Sequence, residues 1–216
     1  MAANLAAVVM PIRSFSTGKS RLAALGTGNR GGIGRLMADA VLHAGGARRS
    51  YVVTADAEVA SWASGRGASV IVCHGDSLNA DLEEALGVLK ASGFGRAVIA
   101  LGDLPLIRSD DIDNAAGSAG FFLIPDRHHT GTNVLACDLP CSIRLAFGAG
   151  SFAAHTAAIA NAGAPLVVDE NSLARYDVDL PEDLEALAAL AARESLSTAE
   201  RHRLNSILSF AGHPSA

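Results

Sequence analysis

Short apolar runs alternate along the first half of the chain with longer segments whose apolar residues recur at helical spacing. The apolar runs contain no charged residue, as is typical of strands buried on both faces of a sheet. They cover residues 5–10, 51–54, 69–72 and 97–101. The helical segments between them cover residues 33–44, 57–64 and 78–90. This strand–helix–strand rhythm predicts βαβ units and a mostly parallel, twisted sheet flanked by helices, which is an α/β fold.

The pattern changes after Leu101. Residues 121–124 and 133–136 have the composition of strands, but little helix fits between them, so we expect an antiparallel excursion at the edge of the sheet. Later segments predict a helix, a short strand and two more helices. They cover residues 151–162, 165–168, 181–193 and a last helix that begins near Ser197. We therefore expect one domain over residues 1–195, followed by a C-terminal helix and polar tail over residues 196–216.

The composition and charge of the chain exclude several classes of protein. Half of the 216 residues are apolar and 18% are charged, which excludes intrinsic disorder. The net charge of −5 argues against a nucleic-acid partner. No apolar run approaches the roughly 18 residues of a membrane span, so we expect no membrane partner. Residues 1–11 lack the basic start of a signal peptide, and the three cysteines form no export-type framework. We expect free thiols in a cytoplasmic protein.

A cationic loop follows the first predicted strand. Arg13, Lys19 and Arg21 lie there among small residues of the segment 14–18. Ligands of open α/β sheets bind at the carboxyl ends of the strands, and small residues let backbone N–H groups approach an anion. A triphosphate fits this description, and a solvated polar loop is the alternative.

The sequence supports neither of two glycine-rich nucleotide-binding motifs, the dinucleotide fingerprint and the P-loop. Residues 26–31 match G-x-G-x-x-G, but the dinucleotide fingerprint must follow a strand directly, and the nearest predicted strand ends near Pro11. No acidic residue closes the second strand about 20 residues later, as that fingerprint requires. The sequence also contains no G-x-x-x-x-G-K-[ST] loop.

Carboxylates follow the predicted strands at two places. Asp103 comes directly after the most apolar strand, and Asp177 and Asp179 alternate on a short extended segment, so that they share a face. Mg²⁺ prefers one or two carboxylates together with substrate phosphates. The alternatives are that Asp103 caps a turn before Pro105 and that Asp179 caps the helix starting at Pro181. With the cationic loop, these acids favour metal-assisted phosphoryl or nucleotidyl transfer.

A second group of small and polar residues predicts an anion site. Thr130, Thr132 and Asn133 provide donors, while Gly148 and Gly150 open the backbone before the helix at residue 151. A helix N-terminus behind glycines binds anions. The alternatives are that Ser151 is only an N-cap and that His155 only packs. A zinc site is not expected, because His128 and His129 are adjacent and point in opposite directions, and Cys137 and Cys141 have no second pair.

Taken together over residues 5–190, these segments resemble the 2-phospho-L-lactate / phosphoenolpyruvate guanylyltransferases, which make the activated precursor of coenzyme F420. The resemblance rests on Lys-Ser-Arg-Leu at 19–22, Asp-Leu-Pro-Leu at 103–106, Pro-Asp-Arg at 125–127, Thr-Gly-Thr-Asn at 130–133, Phe-Gly-Ala-Gly-Ser-Phe at 147–152 with His155, and Asp-Val-Asp at 177–179. It implies a Rossmann-like nucleotidyltransferase domain similar to the molybdenum-cofactor guanylyltransferase. It also implies GTP, Mg²⁺ and an acceptor bound by Thr132, Gly148 and Ser151.

The resemblance also implies roles for the charged residues. Asp103 and Asp179 would hold Mg²⁺ as metal ligands and, with Lys19 and Arg21, form the catalytic set. Arg13, Lys19, Arg21 and Asn79 would bind the nucleotide, and Asp177 would orient a metal-bound water. Arg13 replaces a usual Lys, and His129 stands where the family often has Gly.

The expected partners are GTP and a small phosphorylated carboxylic acid, with phosphoenolpyruvate favoured. 2-Phospho-L-lactate and 3-phospho-D-glycerate stay open as acceptors, and the sequence leaves open whether the chain forms a homodimer. One rival function is another cofactor or sugar nucleotidyltransferase that uses CTP. Another is a non-catalytic nucleotide-binding regulator, against which the retention of both Asp103 and Asp179 argues.

Overall fold

The computed structural model describes residues 5–15, 27–46, 49–74, 77–192 and 196–210. Within them, a seven-stranded sheet runs in the order β3-β2-β1-β4-β6-β5-β7. The strands are β1 (Ala6–Pro11), β2 (Arg49–Thr54), β3 (Ser69–Val72), β4 (Arg96–Ala100), β5 (Phe121–Pro125), β6 (Thr132–Asp138) and β7 (Leu166–Val168). The helices are α1 (Thr27–Gly45), α2 (Ala57–Gly65), α3 (Leu78–Ala91), α4 (Ser109–Gly117), α5 (Ser151–Asn161), α6 (Pro181–Ala191) and α7 (Thr198–Phe210). A 3₁₀ turn, Leu173–Arg175, precedes α6.

The sheet is buried on both faces, as the uncharged strands predict. Along β1, Val8 and Met10 belong to one core and Ala7 and Val9 to a second. Successive strand residues point to opposite faces, so the two cores lie on the two sides of the sheet. Helices α1, α2 and α4 contribute to the first core and α3 and α5 to the second. The α/β fold and its mostly parallel pairing are therefore confirmed.

The antiparallel strand is confirmed as an element, but its predicted place at the edge of the sheet is wrong. Strand β6 pairs antiparallel with β4 on one side and with β5 on the other. The chain then returns through α5, and β7 adds in parallel to the outer side of β5. Strand β7 thus covers the outer side of β5, so β5 and β6 are interior strands and β7 is the edge strand.

A third apolar cluster joins the last helices to the domain. Ile33 and Met37 of α1 pack in it with Leu187 of α6 and Leu204 and Ile207 of α7. Helix α1 begins six residues before the predicted start, so Gly31 and Gly32 lie inside the helix. A side chain at Gly32 would come within 2.9 Å of the Phe210 ring of α7, so the glycine permits close packing of α7.

Helix α4 was not predicted from the sequence. Its residues are Ser-Asp-Asp-Ile-Asp-Asn-Ala-Ala-Gly, which include poor helix formers, and only Asp111, Ile112 and Ala115 are buried. The helix is stabilised at its start, where the Asp111 carboxylate accepts the backbone N–H of Arg108 at 2.7 Å. The other predicted helices and strands occur within a few residues of their expected bounds in the described part of the chain. None of the helices described there combines the length and apolarity that a membrane crossing would need.

Gly120 tests the packing of the edge strand. It has a positive φ of 71°, and a Cβ there would lie 2.6 Å from the Pro165 carbonyl oxygen. We expect Gly120→Ala to lower the free energy of unfolding by at least about 2 kcal/mol, through backbone strain and the backbone collision. Gly117→Ala is the matched control, because a Cβ there meets nothing within 4 Å.

We expect the control to leave stability unchanged or raise it by up to about 1 kcal/mol. Urea unfolding followed by circular dichroism measures both variants. Equal stability of the two variants would contradict the close approach of Gly120 to Pro165.

Candidate active site

The carboxyl ends of β1, β2 and β3 surround a cavity of about 280 Å³. Arg13 lines this cavity, together with Thr54 at the end of β2 and Leu78 and Asp81 at the start of α3. The side chain of Arg13 is exposed, as a residue that meets a soluble anionic ligand must be. Lys19 and Arg21, the other cations predicted for this edge, lie outside the described residues.

The predicted metal carboxylates lie at the neighbouring part of the same edge, beyond the end of β4. The backbone N–H of Val178 donates to the carbonyl of Asp103 at 3.2 Å, which brings the segment of Asp177 and Asp179 against the Asp103 loop. The start of β6 joins this group, because the Asn133 amide donates to Asp177 Oδ1 at 3.2 Å and to the Ala174 carbonyl at 2.9 Å.

The carboxylates of Asp103 and Asp179 act on Asp177. Burial first, and then the negative charges of Asp103 and Asp179, raise the pKa of Asp177 to about 6, while the hydrogen bond from Asn133 opposes the shift. Adjacent anionic oxygens of this kind form an environment in which a divalent cation is favourable. No group of three or more His, Cys, Asp or Glu side chains within the described ranges has the spacing of a complete metal cage. The arrangement fits Mg²⁺ held by two carboxylates and by substrate phosphates.

Asp179 is not the N-cap of α6. The N-cap position is Leu180, and the carboxylate that caps the helix belongs to Asp183, which accepts the backbone N–H groups of Asp179 and Leu180 at 2.7 Å each. Arg127 holds this carboxylate from the other side through an ion pair of 2.7 Å. Helix capping by Asp179, the alternative considered from the sequence, is therefore excluded. The side chain of Asp179 is exposed and lies on a segment fixed by Asp183 and Arg127.

Thr132, the first residue of β6, directly precedes Asn133. Its hydroxyl oxygen is 2.9 Å from Nδ1 of His155 on α5, and both side chains are buried. The other ring nitrogen, Nε2, accepts the backbone N–H of Ala146 at 2.9 Å. Burial lowers the pKa of His155 to about 4, so the ring is neutral at neutral pH. His155 is thus hydrogen-bonded on both sides rather than only packed.

The start of α5 follows two exposed glycines, Gly148 and Gly150. Its N-cap is Gly150, in a left-handed conformation with φ 75°, so Ser151 is the first helical residue and not the N-cap. Gly148 adopts φ 127° and is exposed, and its carbonyl accepts the Ser151 N–H at 3.1 Å. The site therefore brings Gly148 and Ser151 together. The Phe152 N–H also reaches the Thr130 carbonyl at 3.4 Å, which ties this end to the β5–β6 loop.

Asn79, predicted to bind the nucleotide, is bonded to the backbone of Phe147. Its amide donates to the Phe147 carbonyl at 3.0 Å and accepts the Phe147 N–H at 2.7 Å. This contact holds the segment before Gly148 against the first turn of α3. The nucleotide role of Asn79 stays a prediction, and the structure adds a second role, in which Asn79 connects the start of α3 at the cavity to the segment before Gly148.

Asp126 organises its loop in a way that was not predicted from the sequence. Its carboxylate accepts the backbone N–H groups of His128, Thr130 and Gly131 and the hydroxyl of Thr130. Burial opposes ionisation, but these hydrogen bonds lower the pKa of Asp126 overall. Thr130 is thereby engaged within its own loop. The spacing of Asp126 before a Gly-containing turn is the local signal for such a loop.

Comparison with known proteins identifies the family. A family model described as "Guanylyl transferase CofC like" matches residues 6–204. The chain is 39% identical to the phosphoenolpyruvate guanylyltransferase of Sphaerobacter thermophilus, over 85% of this chain and 92% of that protein. It is 30% identical to the 2-phospho-L-lactate guanylyltransferase of Methanothermobacter thermautotrophicus, over 82% of this chain and 81% of that protein.

A solved structure supports the same fold at lower sequence similarity. A nucleotidyl transferase from Methanothermobacter superposes with a TM-score of 0.60, at 18% identity, over 85% of this chain and 96% of that chain. The arrangement of the sheet and the resemblance in sequence over nearly the whole domain thus agree. The chain belongs to the CofC-like guanylyl transferase family.

Proposed function

We propose that the protein transfers GMP from GTP to the phosphate of a small phosphorylated acid and releases diphosphate, as a step of coenzyme F420 biosynthesis. Phosphoenolpyruvate is the favoured acceptor, because relatives at 39% and 34% identity carry that substrate in their names. 2-Phospho-L-lactate, named for a relative at 30% identity, is the second candidate.

The adjacency of Thr132 and Asn133 is the observation that carries the proposal. Thr132 contacts His155 beneath the start of α5, and Asn133 contacts Asp177 beside the Asp103 loop. Neighbouring strand residues point to opposite sides, so the start of β6 separates an acceptor side from a metal side by one residue. An acceptor phosphate held by the first group would lie next to a nucleotide phosphate held by the second.

The reaction needs positioning more than acid–base chemistry. An anionic phosphate oxygen of the acceptor attacks the α-phosphorus of GTP, and the bond from that phosphorus to the oxygen of the leaving diphosphate breaks. The attacking oxygen carries no proton that must be removed, so no strong general base is required. Catalysis then depends on alignment and on donors placed where charge develops.

The charged residues divide this work. Asp103 and Asp179 hold Mg²⁺, which supplies charge neutralisation of the phosphates when bound. Lys19 and Arg21 bind the triphosphate, and Arg13 contributes a positive charge at the cavity by β1. Asp177, held by Asn133, orients a water at the metal side. Thr132, Gly148 and Ser151 bind the acceptor through hydroxyl and backbone donors.

A panel of nucleotides and acceptors tests the function. Diphosphate release would be measured with GTP, ATP or CTP against phosphoenolpyruvate, 2-phospho-L-lactate, 3-phospho-D-glycerate and a sugar phosphate. We expect release with GTP and a phosphorylated three-carbon acid, and the highest kcat/KM with phosphoenolpyruvate. Release only with CTP and a sugar phosphate would favour the rival nucleotidyltransferase, and GTP binding without release would favour the regulator.

Removal of one metal carboxylate should abolish most turnover. We expect Asp103→Asn to reduce kcat by about a hundredfold or more, because metal charge stabilisation is worth several kcal/mol and each 1.4 kcal/mol is a factor of ten. Asp110→Asn is the control, since Asp110 is an exposed carboxylate in the first turn of α4 and is not among the proposed metal ligands. Near-normal kcat of Asp103→Asn at saturating Mg²⁺ would contradict the metal assignment.

The acceptor side should respond separately from the nucleotide side. We expect Ser151→Ala to raise the KM of the acceptor by about tenfold, through a lost hydrogen bond to an anion, and to leave the KM of GTP unchanged. Ser61→Ala on the exposed face of α2 is the control. Steady-state kinetics with each substrate varied, together with thermal unfolding, measure the effect. A raised KM for GTP alone would show that the two sides are assigned the wrong way round.

A further inference from the structure

His155 occupies a position in which its tautomer is fixed by the backbone. The ring is fully buried between β6 and the segment before Gly148. The backbone N–H of Ala146 points at Nε2 over 2.9 Å, and an amide N–H only donates. Nε2 must therefore be the unprotonated nitrogen. In a neutral imidazole the proton then lies on Nδ1.

This tautomer determines what the Thr132 hydroxyl can do. Nδ1–H donates to Thr132 Oγ1 at 2.9 Å, so that oxygen is the acceptor in this contact and its own proton must point elsewhere. No side chain or backbone group in the described part of the chain accepts that proton from Thr132. A buried hydroxyl proton without an acceptor is unfavourable, and an anionic ligand would satisfy it.

The same ring connects the parts of the acceptor side. His155 lies on the second turn of the helix that begins at Ser151, and it packs against the Phe147 ring with a centroid separation of 4.9 Å. Phe147 in turn is held by Asn79 through two hydrogen bonds. Any rotation of the imidazole would move the segment before Gly148 as well as the hydroxyl of Thr132.

We propose that His155 is a positioning residue for the acceptor, which turns the Thr132 hydroxyl into an obligatory donor toward the anionic group of the phosphorylated acid. The inference rests on the proposed function, because Thr132 is assigned to the acceptor there. It goes further in stating that the site requires a ligand atom with lone pairs at this point. His155 acts through Thr132 and does not itself touch the acceptor.

Two substitutions separate the two hydrogen bonds of the ring. The amide nitrogen of Asn can replace Nδ1 as donor to Thr132, whereas the amide oxygen of Gln can replace Nε2 as acceptor from Ala146. We expect His155→Gln to raise the acceptor KM by about tenfold, with the KM of GTP unchanged. We expect His155→Asn to retain most of the acceptor affinity, although it loses the bond to Ala146. A residue needed only for packing would give no such difference between the two variants.

A double-mutant cycle with Thr132 decides whether His155 acts through the hydroxyl. Thr132→Val removes the hydroxyl and Thr132→Ser keeps it. In the Thr132→Val background, we expect His155→Gln to have no further effect on the acceptor KM, whereas in the Thr132→Ser background its tenfold effect should persist. The inference would be overturned if Thr132→Val and His155→Gln raised the acceptor KM by independent factors that multiply in the double variant.

The tautomer gives a second measurement that does not depend on a variant being stable. In the wild-type chain, nitrogen-15 NMR of the His155 ring should show a protonated Nδ1 and an unprotonated Nε2, and a protonated Nε2 would overturn the inference. A wild-type chain that accepts no phosphorylated acid would overturn the proposed function and this inference together. If the wild-type chain turns over a phosphorylated acid but Thr132→Val and His155→Gln act independently in the cycle, this inference alone is overturned.

Discussion

Strand β6 runs against both of its neighbours, and the candidate site depends on that reversal. Because β4 and β6 are antiparallel, the end of one and the start of the other meet at the same edge of the sheet, where Leu101 N–H bonds the Asn133 carbonyl at 3.0 Å. A parallel strand in this place would present its last residues there instead. The reversal therefore puts Thr132 and Asn133 beside the Asp103 loop, directly between the two halves of the site.

The segments around β6 are fixed by charged side chains that the proposed reaction does not use. Asp126 organises the β5–β6 loop by accepting three backbone N–H groups, and Arg127 next to it pairs with Asp183 at the start of α6. Asp183 accepts the N–H of Asp179. Charge-assisted hydrogen bonds thus connect the β5–β6 loop to the segment of Asp177 and Asp179. Such bonds are roughly twice as strong as neutral ones, which suits them to fixing loops at the edge of a sheet.

Much of the fold follows from sequence pattern, and the exceptions have physical causes. The apolar runs of β1 and β4 predict burial on both faces, and alternate residues of β1 do belong to different cores. Helix α4 escaped prediction because its stability comes from Asp111 and from packing of Ile112 rather than from helix propensity. The interior position of β6 could not be predicted either, because strand order depends on long-range pairing. Local spacing gives no information on that pairing.

The residues of the candidate site divide in a similar way. The positions of Asp103 after a strand, Thr132 at a strand start and Ser151 at a helix start could be predicted, because strand ends and helix starts are local features. Partners far apart in sequence could not be predicted: Asn79 bonds Phe147 across 68 residues, and Thr132 meets His155 across 23. The metal and nucleotide roles themselves stay predictions, since they concern ligands rather than contacts within the chain.

The two proposed sides of the site use different groups, because one would bind a cation and the other an anion. Beside the Asp103 loop, burial and the negative charges of Asp103 and Asp179 raise the pKa of Asp177, and the proposed Mg²⁺ would relieve that repulsion. On the proposed acceptor side, the candidate donors are oriented dipoles such as the hydroxyl groups of Thr132 and Ser151, because the N–H groups of Ser151 and Phe152 are bonded within the chain. Dipoles of this kind bind an anion without neutralising it, so an acceptor phosphate would keep the negative charge that makes it a nucleophile. A lysine or arginine bonded directly to the attacking oxygen would strengthen binding but withdraw that charge.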